Sequence, residues 1–141
     1  MYYKEEWRAR ASYGSSLSPA MSKATVRKSE YLAKSQNARR AAFLRRKLRD
    51  MVFRDEPVER WFQTMVGCTR DALRAHLERQ FTGGMSWTNY GVGTDRWSID
   101  HVVPCKNFRL GDFAEDCACF HYTNLRPMWF CENSAKGARD S

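Results

Sequence analysis

The chain has 141 residues, enough for one compact domain with an appendage and too few for two domains with separate cores. Apolar residues make up 43% of it, yet no run approaches the roughly 20 consecutive apolar residues of a membrane span, so the sequence reads as that of a soluble protein. The net charge of +8 is uneven: residues 1–54 carry 14 Lys and Arg against 4 Asp and Glu, and the remainder 10 against 12. A basic excess confined to the N-terminal part points to a polyanionic partner, nucleic acid before membrane, with a plain solvated basic face as the alternative.

Met1 to Trp7 are charged and aromatic, without the apolar run and cleavage site of a secretory signal, so the expected location is cytoplasm or nucleoid rather than outside the cell. Residues 1–35 mix Ser, Gly, Ala and Lys with few aliphatics, and the Gly14-Ser-Ser-Leu-Ser-Pro stretch reads as loop or linker. This segment is expected to be flexible or ordered by a partner, with a short helix from Lys23 to Ala33 capped by Ser22 as an option.

Residues 36–66 are predicted to be a basic helical region. From Ser35 to Phe53, Ala41, Leu44, Leu48, Met51 and Val52 recur at helical spacing, while Arg39, Arg40, Arg45, Arg46, Lys47 and Arg49 fill the other faces. Such a helix docks through its aliphatic stripe and offers its arginines to DNA phosphates. Pro57 breaks it, and Val58 to Met65 forms a helical turn ending at Gly67.

Residues 67–141 form the third predicted region. Thr69 caps a helix with Leu73, Leu77 and Phe81 on one face, ended by Gly83-Gly84; His76 is read as a partly exposed residue of that helix. An aromatic, turn-rich stretch over 85–97 leads into a strand from Ser98 to Pro104, a loop with Gly111, Asp112 and Asp116, a second strand from Asn124 to Trp129, and a short helix from Glu132 to Gly137.

The five cysteines, Cys68, Cys105, Cys117, Cys119 and Cys131, are odd in number and cluster late, which favours a reducing compartment over a disulfide framework. Cys105-x11-Cys117-x-Cys119-x11-Cys131 does not match the usual two-to-four-residue zinc knuckle, so structural zinc is the lesser option and buried thiols the greater.

Asp100-His101 carries little alone, since alternation along a strand sends the two side chains to opposite faces. Asp100 then has the reading of a turn cap, His101 of a core histidine and Asn133 of a helix cap. Taken in order, however, several motifs resemble the HNH endonucleases of phages and mobile introns: Gly67-Cys-Thr, Leu73-x3-Leu-Glu-x-Gln-Phe, Gly84-Met-Ser-Trp-Thr-Asn-Tyr-Gly, Trp97-Ser-Ile-Asp-His-Val-Val-Pro-Cys, Cys119-Phe-His-Tyr-Thr-Asn-Leu-Arg-Pro-Met-Trp and Glu132-Asn-Ser-Ala-Lys-Gly. Roughly the C-terminal half, Leu73 to Gly137, is covered.

The resemblance implies an α+β chain with a ββα-metal (HNH, His-Me finger) core behind a basic helical extension, and a metal-dependent endonuclease that nicks or cuts double-stranded DNA as a monomer or homodimer, in a homing-type setting. It implies that His101 is the general base, acting as neutral imidazole. Asp100 and Asn133 would ligate Mg²⁺ or Mn²⁺, which stabilises the transition state and the leaving oxygen. Asn124 would brace the loop and orient His101, Arg126 would meet phosphate, His121 would either meet phosphate or be structural, and Lys136 would meet the DNA backbone or cap the last helix. One departure is Ser98, where relatives often carry a histidine. Two other functions fit the residues: a non-catalytic nucleic-acid binder that keeps the fold, and a zinc-stapled module on Cys105, Cys117, Cys119 and Cys131.

Overall fold

The computed structural model describes residues 22–140. The loop expected around Gly14 to Pro19 and the rest of residues 1–21 lie outside the described residues. Ser22 accepts a hydrogen bond from the Thr25 N–H (3.2 Å) and starts helix α1, Lys23–Phe53, which runs unbroken for 31 residues. The helix offered from Lys23 with Ser22 as its cap is thus present, and it continues without a break through the stretch from Ser35 to Phe53, across the boundary placed between residues 35 and 36. Residues 23–34 are exposed throughout, so no apolar stripe announces this half; a capped run rich in Ala, Lys, Arg and Glu is helical by local preference. Ala41, Leu44, Leu48, Met51 and Val52 are buried, as the spacing predicts.

Helix α2, Arg60–Val66, ends at Gly67, whose left-handed backbone (φ 83°) is the conformation glycine adopts without penalty. Thr69 caps α3, Arg70–Glu78, through the Ala72 N–H. This helix stops three residues short of Phe81. Beyond it the bonds tighten to Gln80 N–H to Leu77 C=O and Phe81 N–H to Glu78 C=O, which turns Phe81 toward Trp87 and Trp97. Trp97 is fully buried among Phe53, Phe81, Trp87 and Tyr90, and its indole N–H donates to the Ser86 carbonyl (2.6 Å).

Strands β1, Trp97–His101, and β2, Leu125–Trp129, pair antiparallel, with Trp97 opposite Trp129, Asp100 opposite Arg126 and His101 opposite Leu125. β1 ends at His101 rather than at Pro104: the Val102 N–H still bonds to the Asn124 C=O, but the Val103 N–H turns to the Asn124 side chain. The connection expected to be loop contains a helix, α4, Phe113–Phe120, capped by Asp112. The final helix α5 is longer than expected, Phe130–Asp140, and follows β2 directly.

The described residues thus form an α+β arrangement with a two-stranded antiparallel sheet. One hydrophobic cluster joins α1 (Leu44, Leu48), α2 (Phe62, Met65), α3 (Leu73, Leu77), α4 (Cys119, Phe120) and β2 (Leu125). Residues 36–66 accordingly share one core with residues 67–141, in line with a chain too short for separate cores. Among the described residues no helix is long and apolar enough to cross a membrane.

Candidate metal and nucleic-acid site at the end of strand β1

Strand alternation gives β1 two chemically different faces. On the first, Ser98 and Asp100 meet α5. Asn133 on that helix donates from Nδ2 to Ser98 Oγ (3.0 Å), which leaves its amide oxygen for another partner. Asp100, only 5% exposed, accepts from Arg126 Nε (2.8 Å), its cross-strand neighbour, and from Lys136 Nζ (3.1 Å to each carboxylate oxygen). A carboxylate buried this deeply requires such cations. Lys136 also donates to the His101 carbonyl (2.8 Å), tying α5 to the end of β1.

On the second face, Ile99 packs toward the core and His101 sets its ring edgewise on Phe120 of α4, centroids 4.6 Å apart. His101 is 6% exposed, and its Nε2 is buried with no hydrogen-bond partner. Cys105 and Cys119 lie beside it: a ring nitrogen of His101 and the two sulfurs fall within 4.8 Å of one another. The Cys119 thiol donates to the Cys105 sulfur at 3.3 Å. That bond, with help from His101 and against the effect of burial, lowers the Cys105 pKa; the same bond, and burial, raise that of Cys119.

Two asparagines hold the turn after β1 and the segments packed on it. Asn124, predicted to brace the loop, accepts from the Val103 N–H (2.8 Å) and donates to the carbonyls of Val103 (3.1 Å) and Cys119 (2.8 Å). Asn37, which sequence reasoning missed, reaches from α1 to donate to the Cys105 carbonyl (3.3 Å) and accept from the Leu110 N–H (2.8 Å). Nothing in the local sequence marks Asn37, because its partners are remote in the chain.

Both faces open on one cavity of about 730 Å³, to which Arg45, Arg49, Asp100, His101, Asn133 and Lys136 all contribute. Arg45 and Arg49 are one helical turn apart and exposed, placing two cations on its α1 wall. Arg46 and Arg49 line a smaller adjoining recess with Phe53 and Tyr90. Arg126 does not line the cavity but reaches it through Asp100.

Other expected residues are placed elsewhere. Arg40 binds Asp116, fully buried on α4, at 3.0 Å and pins α4 to α1 rather than facing the cavity. Arg39 is exposed and outside the cavity lining. His121 is also outside it: its Nδ1 accepts from the Thr123 N–H (3.4 Å), and its ring covers Gly67 so closely that a Cβ there would come within 2.5 Å of Nε2. His76 clips α3 to the sheet through Nε2 and the Leu125 carbonyl (2.9 Å). The four-cysteine set does not form one group: Cys131 is exposed, and the metal-sized cluster joins Cys105 and Cys119 to His101.

No family model matches the chain, and no solved structure matches it. Among curated proteins it is 41% identical over 71 residues to "Uncharacterized protein L426" of Acanthamoeba polyphaga mimivirus, a match covering 50% of this chain and 30% of that one. It is 36% identical over 64 residues to "Uncharacterized protein L246" of the same virus, covering 45% and 27%. The similarity thus spans less than a third of either relative.

Proposed function

We propose that the protein is a metal-dependent DNA endonuclease of the HNH type, with the ββα-metal arrangement formed by β1, β2 and α5. The observation that carries this reading is the convergence of Asp100, His101 and Asn133 on one cavity whose α1 wall presents Arg45 and Arg49. A carboxylate and an amide oxygen on neighbouring elements are the donor set a hard cation takes, so Mg²⁺ or Mn²⁺ suits Asp100 and Asn133. Such a cation, when bound, supplies charge stabilisation at the phosphoryl and leaving oxygens.

The chain's own residues do the rest. His101 accepts the proton of the attacking water, which needs an imidazole held in place and facing the cavity. Asn124 fixes the backbone just beyond it, and Phe120 fixes the plane of its ring. Lys136, once released from Asp100, meets a backbone phosphate beside Arg45 and Arg49, whose contacts position double-stranded DNA without reading its sequence. One site of this kind nicks one strand; a second cut needs a second copy or a second encounter. The setting we infer is a homing-type enzyme of phage or mobile-intron kind.

A non-catalytic DNA-binding protein is the second reading, favoured by the engagement of both Asp100 oxygens with Lys136 and Arg126. Supercoiled plasmid incubated with the protein in Mg²⁺, Mn²⁺ or EDTA separates the two. Conversion to open circles is expected in either metal and not in EDTA, with loss in Asp100→Ala and Asn133→Ala. Plasmid that is bound but never nicked in any metal establishes the binder instead.

A further inference from the structure

The second face of β1 holds chemistry that the nuclease reading does not use. Cys105 and Cys119 come from different elements, the turn after β1 and helix α4, yet their sulfurs lie 3.3 Å apart with a His101 ring nitrogen in the same cluster. Their positions are not incidental to a flexible loop. Cys119 is fully buried, Cys105 is 5% exposed, and Asn37 and Asn124 hold the carbonyls of Cys105 and Cys119. Beside them, His101 Nε2 is buried without a hydrogen-bond partner, a condition that a buried polar atom rarely sustains unless something binds it.

We propose that His101, Cys105 and Cys119 form a site for one soft divalent cation of the zinc class. One imidazole nitrogen and two sulfurs are ligands that select zinc over magnesium, and three protein ligands leave a fourth, tetrahedral position open. His101 and Cys105 line the cavity, so the site adjoins it. The site differs from the oxygen donors Asp100 and Asn133 in both composition and face, and the two take different ions. Binding of the soft cation requires nothing of the nuclease reading. Its consequence does rest on that reading: an imidazole ligated to zinc has no lone pair for water, so an ion here switches off His101 as a base.

Cobalt reports the ligands directly. The full chain, kept reduced with a phosphine, is titrated with Co²⁺. One equivalent is expected to bind with tetrahedral visible bands and a thiolate-to-cobalt charge-transfer band, both erased by one equivalent of Zn²⁺. Cys105→Ser or Cys119→Ser is expected to lower the charge-transfer band by about half, as two thiolates become one; Cys131→Ser leaves it whole. Octahedral cobalt without a charge-transfer band overturns the site, as does a band that survives in the Cys105→Ser/Cys119→Ser double variant. The wild-type spectrum decides alone if the serine variants fail to fold. In the plasmid assay, one equivalent of Zn²⁺ is expected to stop Mg²⁺-dependent nicking by the wild type and not by the double variant. Inhibition that persists in the double variant overturns the link to His101. A wild type that never nicks defeats the nuclease reading and leaves the cobalt result standing.

Discussion

On one face of β1, Ser98 and Asp100 look toward α5 into oxygen and cationic nitrogen; on the other, Ile99 and His101 look toward α4 into aromatic carbon and sulfur. On the first face Asp100 is held by Arg126 and Lys136. The second carries an unpartnered buried nitrogen. The difference shows how a strand of five residues presents two kinds of donor atom to one cavity: the pleat alternates side chains, and the helix packed on each side decides the donors. It also separates the proposed roles, since His101 stands apart from the residues suited to a hard cation.

The contrast breaks most strongly at Asn124, whose three hydrogen bonds hold the turn after β1 and the end of α4, all on the sulfur side. Asn124→Ala leaves a backbone N–H and two carbonyls without their partner. The expected loss is about 3 kcal/mol, read as a fall in the urea midpoint. The same variant is expected to raise thiol reactivity at Cys105 and Cys119 while the Asn133 to Ser98 hydrogen bond persists; equal disruption of both faces would erase the distinction between them. A smaller effect concerns the α1 wall of the cavity. Arg45→Gln with Arg49→Gln is expected to flatten the slope of DNA affinity against salt by about 2, roughly 0.9 for each phosphate no longer neutralised, with no change in stability. An unchanged slope places the DNA elsewhere on the surface.

Much of this arrangement is legible in the chain because its signals are local. The caps at Ser22 and Thr69, the glycine at 67, the stripe from Ala41 to Val52 and the two strands all follow from neighbours in sequence. Helix α4 escapes a reading of the sequence although its start is written in Asp112-Phe-Ala-Glu, an acidic cap followed three residues later by Glu115. The glycine and acidic residues beside it give the stretch the composition of a loop. The exposed half of α1 is announced only by its Ser22 cap, and its continuity with the buried half is not: amphipathic periodicity marks helices that bury a face, and a fully solvated one has none.

The site divides in the same way. Asp100 and His101 adjoin in sequence, and Asn133 follows β2 closely, so ordered motifs bring them forward. Arg40 resembles its neighbours on α1 until the buried Asp116 on α4 claims it, and His121 stands in the same motif as Asn124 while facing Gly67. The trio of His101, Cys105 and Cys119 forms only when α4 folds against the end of β1. Cysteine spacing therefore suggests a different set of four.

The rate of metal-dependent nicking by His101→Ala, measured beside the wild type in Mg²⁺ with folding checked by circular dichroism, tests the central claim most directly. A loss on the order of 10²- to 10⁴-fold is the expected result for removal of a general base. Nicking at the wild-type rate in a folded His101→Ala protein would contradict it.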